Sequence, residues 1–439
     1  MTGTPTDERL RGMRTLTAVI SDTGGVLRAK TAPAHRIEAL ATSGFGASAT
    51  WSVFCVDGCV AETEAISPVG DNRLTADLAS AVLLPGGFGW AAADLRDQDG
   101  AISAYCWRDV VRRQVTRLER IGVAARLGHE LEFTLYAADG GPVSPVTGWP
   151  PYGAQQHFAH AGFAADVCAA LARVGAPVEQ FHAEFGAGQV ELSLPPADPL
   201  TAADRVILAR TVIGRVAHEH GLLTSFSPQP APGGSGNGAH LHLSLARDKT
   251  PLFAGDGTGV PADGLAAIAG IVTELPAAIA VLAGTVVSGE RLQPGSWSGA
   301  WAAWGVENRE AAVRYIAGGP GTPRGANVEV KCIDGGANPW LATGLVLGLA
   351  AHGLESAVSD VAPVQVDPQT LAETERHSRG IVALPTDPQE RINAFAASAV
   401  VRSILGDALH EAVLAVRRHE ARHVDPDGVH ERVRYAWSG

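Results

Sequence analysis

One alternation recurs in four separate stretches of this chain and restricts what it can fold into. In 128–136, GHELEFTLY, Glu130 and Glu132 alternate with Leu131, Phe133 and Leu135. In 181–194, FHAEFGAGQVELSL, Gln189, Glu191 and Ser193 alternate with Val190, Leu192 and Leu194. In 238–245, GAHLHLSL, His240, His242 and Ser244 alternate with leucines, and in 327–332, NVEVKC, Glu329 and Lys331 alternate with Val328, Val330 and Cys332. Successive side chains of a strand point to opposite faces, so each stretch puts ionisable groups on one face of a sheet and aliphatics on the other. A sheet with one solvated face has a similar period, but such faces are usually rich in Thr, Lys and Ser. Two carboxylates two residues apart on one face repel unless a cation lies between them. Hard divalent cations take carboxylate oxygens, and Mg²⁺ or Mn²⁺ tolerates one or two imidazoles. The pattern reads as the lining of a two-metal site.

A length of 439 residues exceeds one ordinary core and predicts two domains. The first hundred residues read as short strands (TAVISD, ASATWSVFCVDG, FGWAAADLRDQDG), and a helix follows from about Trp107 to Gly122. We therefore expect an N-terminal domain over 12–105 and a second, larger domain over 106–439. RVILARTVIGRVAHEHG, LAAIAGIVTELPAAIAVLAG and the buried run from Trp340 to Ala351 read as helices, the last too short to span a bilayer. The stretch 231–238, APGGSGNG, reads as a loop that brings backbone amides close to a ligand. A formal charge of −12 argues against nucleic acid or an anionic membrane surface as a partner. No secretory signal opens the chain, and the five cysteines are spaced for neither a disulfide framework nor a zinc site. A reducing cytoplasm is expected.

The ordered motifs resemble those of glutamine synthetases across roughly residues 20 to 410. They are ELEF (Glu130 to Phe133), HAEFGAGQVE (His182 to Glu191), GNGAHLHLS (Gly236 to Ser244), ERLQPG (Glu290 to Gly295), NREAAVR (Asn308 to Arg314) and EVKCIDGGANPWL (Glu329 to Leu341). The resemblance implies an α+β fold, with a small N-terminal β-grasp domain and a large C-terminal α/β catalytic domain. It implies two or three Mg²⁺ (or Mn²⁺) ions, with Glu132, Glu184 and Glu191 around one and Glu130, His240 and Glu329 around a second. His242, Ser244 and Arg324 would lie along ATP, and Arg309 and Arg314 would face its phosphates. Arg291 would hold the α-carboxylate of glutamate, with a backbone contact from Gly236. Asp57-Gly58, fourteen residues before Asp71, matches the family's Asp-Gly segment, which makes Asp57 the base for an incoming amine. The family assembles as two stacked hexamers, in which Asp57 would serve a neighbour's site.

The departures from the family pattern bear on the substrate. Where the family carries an ammonium-binding glutamate after Pro-Gly, this chain has Trp297, in PGSWSGAWAAWG, so an organic amine gains an apolar surface and ammonium loses its anionic partner. Trp301 and Trp304 are expected near the same region. The flap has no acid for a distal amine, which favours a monoamine or aromatic amine, although Glu62 and Glu64 near Asp57 could serve a polyamine. Lys331 replaces an arginine at the glutamate site and loses its bidentate geometry. Gln229 replaces a customary lysine, and Ser235 stands in for an asparagine. The expected activity is ATP-dependent ligation of glutamate to an organic primary amine. The alternatives are glutamine synthesis from ammonia, a ligase for a glutamate analogue, and a non-catalytic homologue. No tyrosine precedes Pro385 in IVALP, so control by adenylylation is not expected.

Overall fold

The computed structural model describes residues 8–67, 69–143, 150–254, 259–319, 325–356, 361–423 and 428–437. Six strands form the N-terminal sheet: β1 (Thr15–Ser21), β2 (Leu27–Pro33), β3 (Phe45–Ala47), β4 (Asn72–Ala76), β5 (Val82–Leu84) and β6 (Phe88–Arg96). Their order is β2-β1-β6-β4-β3, with β5 also on β6. The β1–β2 hairpin and the parallel β1–β6 pair give the N-terminal sheet expected from the sequence. One expected strand is absent. Ala49–Val53 is a 3₁₀ turn, and the chain then makes a tight hairpin in which Phe54 faces Val60. Ser48 caps the turn by accepting from the Thr50 N–H, and this side-chain bond competes with strand pairing.

The second sheet has ten strands. They are β7 (Val123–Ala137), β8 (Gln180–Ala183), β9 (Gln189–Ala197), β10 (Leu222–Ser225), β11 (Leu241–Arg247), β12 (Thr250–Pro251), β13 (Trp301–Val306), β14 (Ala311–Ile316), β15 (Asn327–Val330) and β16 (Val382–Ala383). The order β16-β13-β14-β15-β11-β7-β9-β8 makes neighbours of all four alternating stretches. Their aliphatic face is closed: Leu131, Phe133, Val190, Leu192, Leu241, Leu243, Val328 and Val330 are each at most 2 % exposed. Burying each such side chain contributes roughly 1.5–3 kcal/mol, which fixes the register, since a one-residue slip would turn every leucine toward water.

Helices Trp107–Arg120 and Pro199–Glu219 pack on that face, and Pro339–Ser356 packs on both of them. Ala262–Leu282 packs on Pro339–Ser356. It is long and apolar enough to cross a membrane, but 78 % of its most apolar window is buried inside the fold. The N-terminal sheet is tied to the helices that pack on the second sheet through Arg108, which is 1 % exposed. It donates to Asp94 on β6 at 2.8 Å, to Asp77 at 2.9 Å and to Asp204 at 2.7 and 3.0 Å, while the Trp340 indole N–H holds Asp204 at 2.8 Å.

Candidate active site

The polar face of the ten-stranded sheet follows from its register. Glu132 lies opposite Glu191, and Glu191 opposite His182. Glu329 lies between His242 on one side and Arg314 on the other. Directly opposed side chains on one face are the closest neighbours a sheet offers, so pairing alone gathers these groups into rows. All of these but His242 line a cavity of about 750 Å³, a size suited to small-molecule substrates.

Acids and imidazoles interleave inside it. His240 Nδ1 lies 2.8 Å from Glu130 and 3.4 Å from Glu329, and His240 Nε2 lies 3.6 Å from Glu132. His242 Nε2 is 3.0 Å from the other Glu130 oxygen. His182 Nε2 is 2.9 Å from Glu184 and 3.8 Å from Glu191. Ligand atoms within 4.8 Å of one another occur in three sets: Glu130–Glu191–His240, Glu130–His242–Glu329 and His182–Glu184–Glu191. Burial, followed by the nearby carboxylates of Glu130, Glu132 and Glu184, pushes Glu191 up to about 10. Burial also opposes ionisation of Glu329, but Lys331, His240 and His242 outweigh it and bring the group down to about 2. Glu130 is likewise held low, because its bonds to His240 and His242 outweigh its burial. The cluster is thus short of positive charge at Glu191. Divalent cations bound by oxygens and one or two imidazoles fit this donor set.

Around the acids stand cationic groups and tightly packed backbone. Arg291 is 7 % exposed, and its Nη1 is buried with no hydrogen-bond partner among the described residues, a vacancy that suits a carboxylate ligand. Arg309 is exposed at the rim, and Arg314 donates to Glu329 at 3.2 Å and to Glu307. Lys331 lies beyond the end of β15 yet still turns its Nζ to Glu329 at 3.3 Å. The loop 231–238 lies against this wall, as its composition implies. A Cβ on Gly236 would come within 2.6 Å of the Arg291 side chain, and one on Gly238 within 2.6 Å of His240 Nε2 and 2.8 Å of Glu132 Oε1. Gln189 donates to Glu132 at 3.1 Å and to the Gly236 carbonyl at 2.8 Å, binding the loop to the acids.

The structure brings together Glu130, Glu132, Glu184, Glu191, Gly236, His240, Arg291, Trp297, Arg309, Arg314, Glu329 and Lys331 around one cavity. Trp297 is 60 % exposed at its mouth, at a positive φ of 53°. Glu310 holds the flap by accepting from the Gly295 N–H at 3.1 Å and the Trp297 N–H at 2.8 Å. His242 reaches the acids through Glu130 but does not line the cavity, and Ser244 sits one repeat further along β11, opposite Arg126. Arg324 falls outside the described residues. Asp57 is elsewhere: its carboxylate is 3.2 Å from His419 Nε2 on the Asp407–His423 helix. Its burial is outweighed by the Cys59 N–H and by His419, which hold it below the usual carboxylate range.

Trp301 and Trp304 do not line the cavity. They are 6 % and 3 % exposed on β13, and the Trp304 indole donates to the Val361 carbonyl at 2.8 Å. Core burial, not substrate, uses their area. Residues the motifs did not single out also line the cavity: Tyr152, whose N–H donates to the Glu184 carbonyl at 3.1 Å, and Phe185, 61 % exposed. His182 could have been found from its place two residues before Glu184. Nothing in the sequence marks Tyr152.

Comparison with known proteins agrees with this geometry. The family described as "Glutamine synthetase, catalytic domain" matches residues 104–433. The gamma-glutamylpolyamine synthetase GlnA3 of Streptomyces coelicolor is 39 % identical over 97 % of this chain and 94 % of its own. A glutamine synthetase of Pyrococcus horikoshii is 30 % identical over 72 % of this chain and 71 % of its own. A solved structure described as a GmaS/ADP complex superposes with a TM-score of 0.83 at 27 % identity, covering 96 % of each chain. Another, of a "novel glutamine synthase homolog", gives 0.84 at 29 %, covering 98 % of this chain and 99 % of that one.

Proposed function

This chain belongs to the glutamine synthetase family, and on that premise we propose that it joins the γ-carboxylate of glutamate to an organic primary amine at the expense of ATP. The observation that carries the proposal is Trp297. An indole stands at the mouth of the acidic cavity, at the position where the family pattern has an ammonium-binding glutamate. Its ring offers an alkyl or aryl amine a surface to pack on and offers ammonium no anionic partner. The S. coelicolor relative is named for polyamines, and Glu62 and Glu64 line a cleft beside the Asp57 hairpin that could take a distal ammonium. A polyamine is therefore the second reading.

Glu130, Glu132, Glu184, Glu191, His240 and Glu329 would hold two or three Mg²⁺ or Mn²⁺ ions, whose charge would stabilise the phosphates of ATP. Arg291 would bind the α-carboxylate of glutamate through its unpartnered Nη1. A carboxylate is a poor electrophile, so the γ-phosphoryl group passes first to the glutamate γ-carboxylate, giving γ-glutamyl phosphate. Arg309 and Arg314 offset the charge that builds on the moving phosphoryl group. An amine attacks only when uncharged, displacing inorganic phosphate from the γ-glutamyl phosphate, and an ionised carboxylate such as Asp57 would accept its proton. His242, Ser244 and Arg324 would serve the nucleotide. Asp57 lies outside its own chain's acidic cavity, which fits a dodecamer of two stacked hexamers with sites shared between neighbours. We place the reaction in the cytoplasm, which supplies ATP and glutamate.

The test is phosphate release with ATP, Mg²⁺ and glutamate against ammonia, ethylamine, isopropylamine, ethanolamine, putrescine, spermine and aniline, with products identified by mass. Turnover with an organic amine and little with ammonia supports the proposal. Turnover chiefly with ammonia overturns it. Turnover only when a glutamate analogue replaces glutamate moves the activity to another acid.

A further inference from the structure

The cysteines, spaced for no zinc site on their own, are brought by the fold against two histidines. Cys55 and Cys59 are four positions apart across the tight hairpin: the Cys55 N–H donates to the Cys59 carbonyl at 2.9 Å, and the Gly58 N–H to the Cys55 carbonyl at 2.9 Å, with Gly58 at a φ of +84°. His419 and His423 are likewise four positions apart on the Asp407–His423 helix, which places them one turn apart on one face. Their rings stack, with centroids 4.4 Å apart. Hairpin and helix are locked together: Val53, Cys55 and Ala61 form a core with Ala412, Ala415 and Val416, and the Val56 N–H donates to Glu420 at 3.0 Å. The result is a Cys-x₃-Cys hairpin facing a His-x₃-His helix, within the ligand spacing that structural zinc sites use.

The ligand atoms meet the same condition. Cys55 Sγ, an Asp57 oxygen and a His419 nitrogen all lie within 4.8 Å of one another. The Cys59 N–H donates to the Asp57 carboxylate at 2.9 Å, and Cys59 is exposed on the same hairpin. Tetrahedral bonds to zinc would draw such atoms in to roughly 3.3–3.8 Å of one another, a contraction a side-chain rotation can supply. Thiolate and imidazole select zinc, cobalt or copper over magnesium, in contrast to the oxygen-rich cavity on the sheet.

We propose that Cys55, Cys59, Asp57 and His419 form a second metal site, selective for a soft divalent transition metal such as Zn²⁺, with His423 stacked on His419 to position its ring. Binding would release the thiol protons to solvent and tie up the Asp57 carboxylate. Zn²⁺ would therefore inhibit amine transfer; this consequence, unlike the site itself, rests on the ligase reading above.

The test uses the full chain in saturating Mg²⁺, titrated with Co²⁺ as a spectroscopic stand-in for zinc. One equivalent should give a thiolate-to-cobalt charge-transfer band, which only cysteine ligation produces, and Zn²⁺ should bleach it. His419→Gln should abolish the band. Cys59→Ser, at an exposed position that does not burden folding, should weaken Co²⁺ at least roughly tenfold. Absence of the band, or a band unchanged in both variants, overturns the site. The band is read without substrates, so it decides the site even if no amine is turned over. If the wild-type chain is active, one equivalent of Zn²⁺ should suppress phosphate release, and release that continues with the site filled overturns the inhibitory consequence.

Discussion

Replacing Trp297 by alanine removes the surface on which the proposed amine packs and leaves the rest of the cavity in place. A tryptophan side chain offers roughly 250 Å², so at 60 % exposure about 150 Å² of this one faces the mouth. A small amine lying on one face of the ring covers about 60 Å² of that. At roughly 25 cal/mol per Å² the contact contributes about 1.5 kcal/mol, or about twelvefold in kcat/KM for the amine. The backbone bond from the Trp297 N–H to Glu310 survives the change, so the flap should keep its place. The assay is phosphate release at saturating ATP and glutamate with the amine varied, run in parallel with ammonia. The expected outcome is a loss of about tenfold for the preferred organic amine, no comparable loss for ammonia, and an unchanged KM for glutamate. If the ratio of organic amine to ammonia stays where it was, Trp297 is not the amine surface. If the glutamate KM rises in step, the ring supports the acid site instead.

Glu191→Gln should raise the melting temperature of the metal-free protein and abolish its stabilisation by Mn²⁺ in a thermal-shift titration, because one of several converging acids is gone. The pH dependence follows from the same group. With Glu191 raised from its ordinary 4.5 to about 10, the folded chain holds a proton that the unfolded chain has lost. The metal-free wild type should therefore lose stability as pH climbs from about 4.5 toward 10, and Mn²⁺ should flatten the loss. Arg108→Met should destabilise by about 3–5 kcal/mol in urea unfolding, since it leaves Asp204 buried without its cation, while Asp94 keeps Arg112. Glu310→Gln, which keeps only one of the two acceptors that hold Gly295 and Trp297, should raise the amine KM about fivefold, for a loss of about 1 kcal/mol. It should also speed proteolysis of the flap. Mixing an inactive Asp57→Asn protein with an inactive Arg291→Met protein, with subunit exchange, should restore part of the activity if the site is shared, and none if each chain works alone.

The sheet was legible in the sequence because burial imposes its period. Leucines and valines at every second position have one buried face to go to, and the acids between them are carried to the other. Strand register then does the rest, so β7, β9, β11 and β15 could be read off before their pairing was known. Ala49–Val53 was misread as strand because Ser48 and Thr50 offer the backbone a local bond that hydrophobic pattern does not register. Trp301 and Trp304 follow Trp297 at short spacing, yet only Trp297 faces the cavity. An aromatic suits core and rim equally, and only the packing of β13 beneath Arg376 and Tyr315 decides between them. Tyr152 and the Cys–His pairing were out of reach for a different reason. They depend on residues tens to hundreds of positions apart, and no local period reports such proximity.

The division of charge across the chain explains why the two halves of the proposed reaction should sit apart. The sheet concentrates carboxylates until one of them, Glu191, resists ionisation, a setting suited to divalent cations and phosphoryl oxygens. A carboxylate meant to take a proton from an ammonium needs the opposite setting, one in which it stays ionised. Placed among Glu130, Glu132 and Glu184, Asp57 would be pushed up as Glu191 is. Beside His419 and the Cys59 N–H it is held down. A base on a separate hairpin, as proposed for Asp57, lets the phosphoryl site gather acids without neutralising the group that would receive the proton, and the proposed assembly of subunits would bring the two within reach of one substrate.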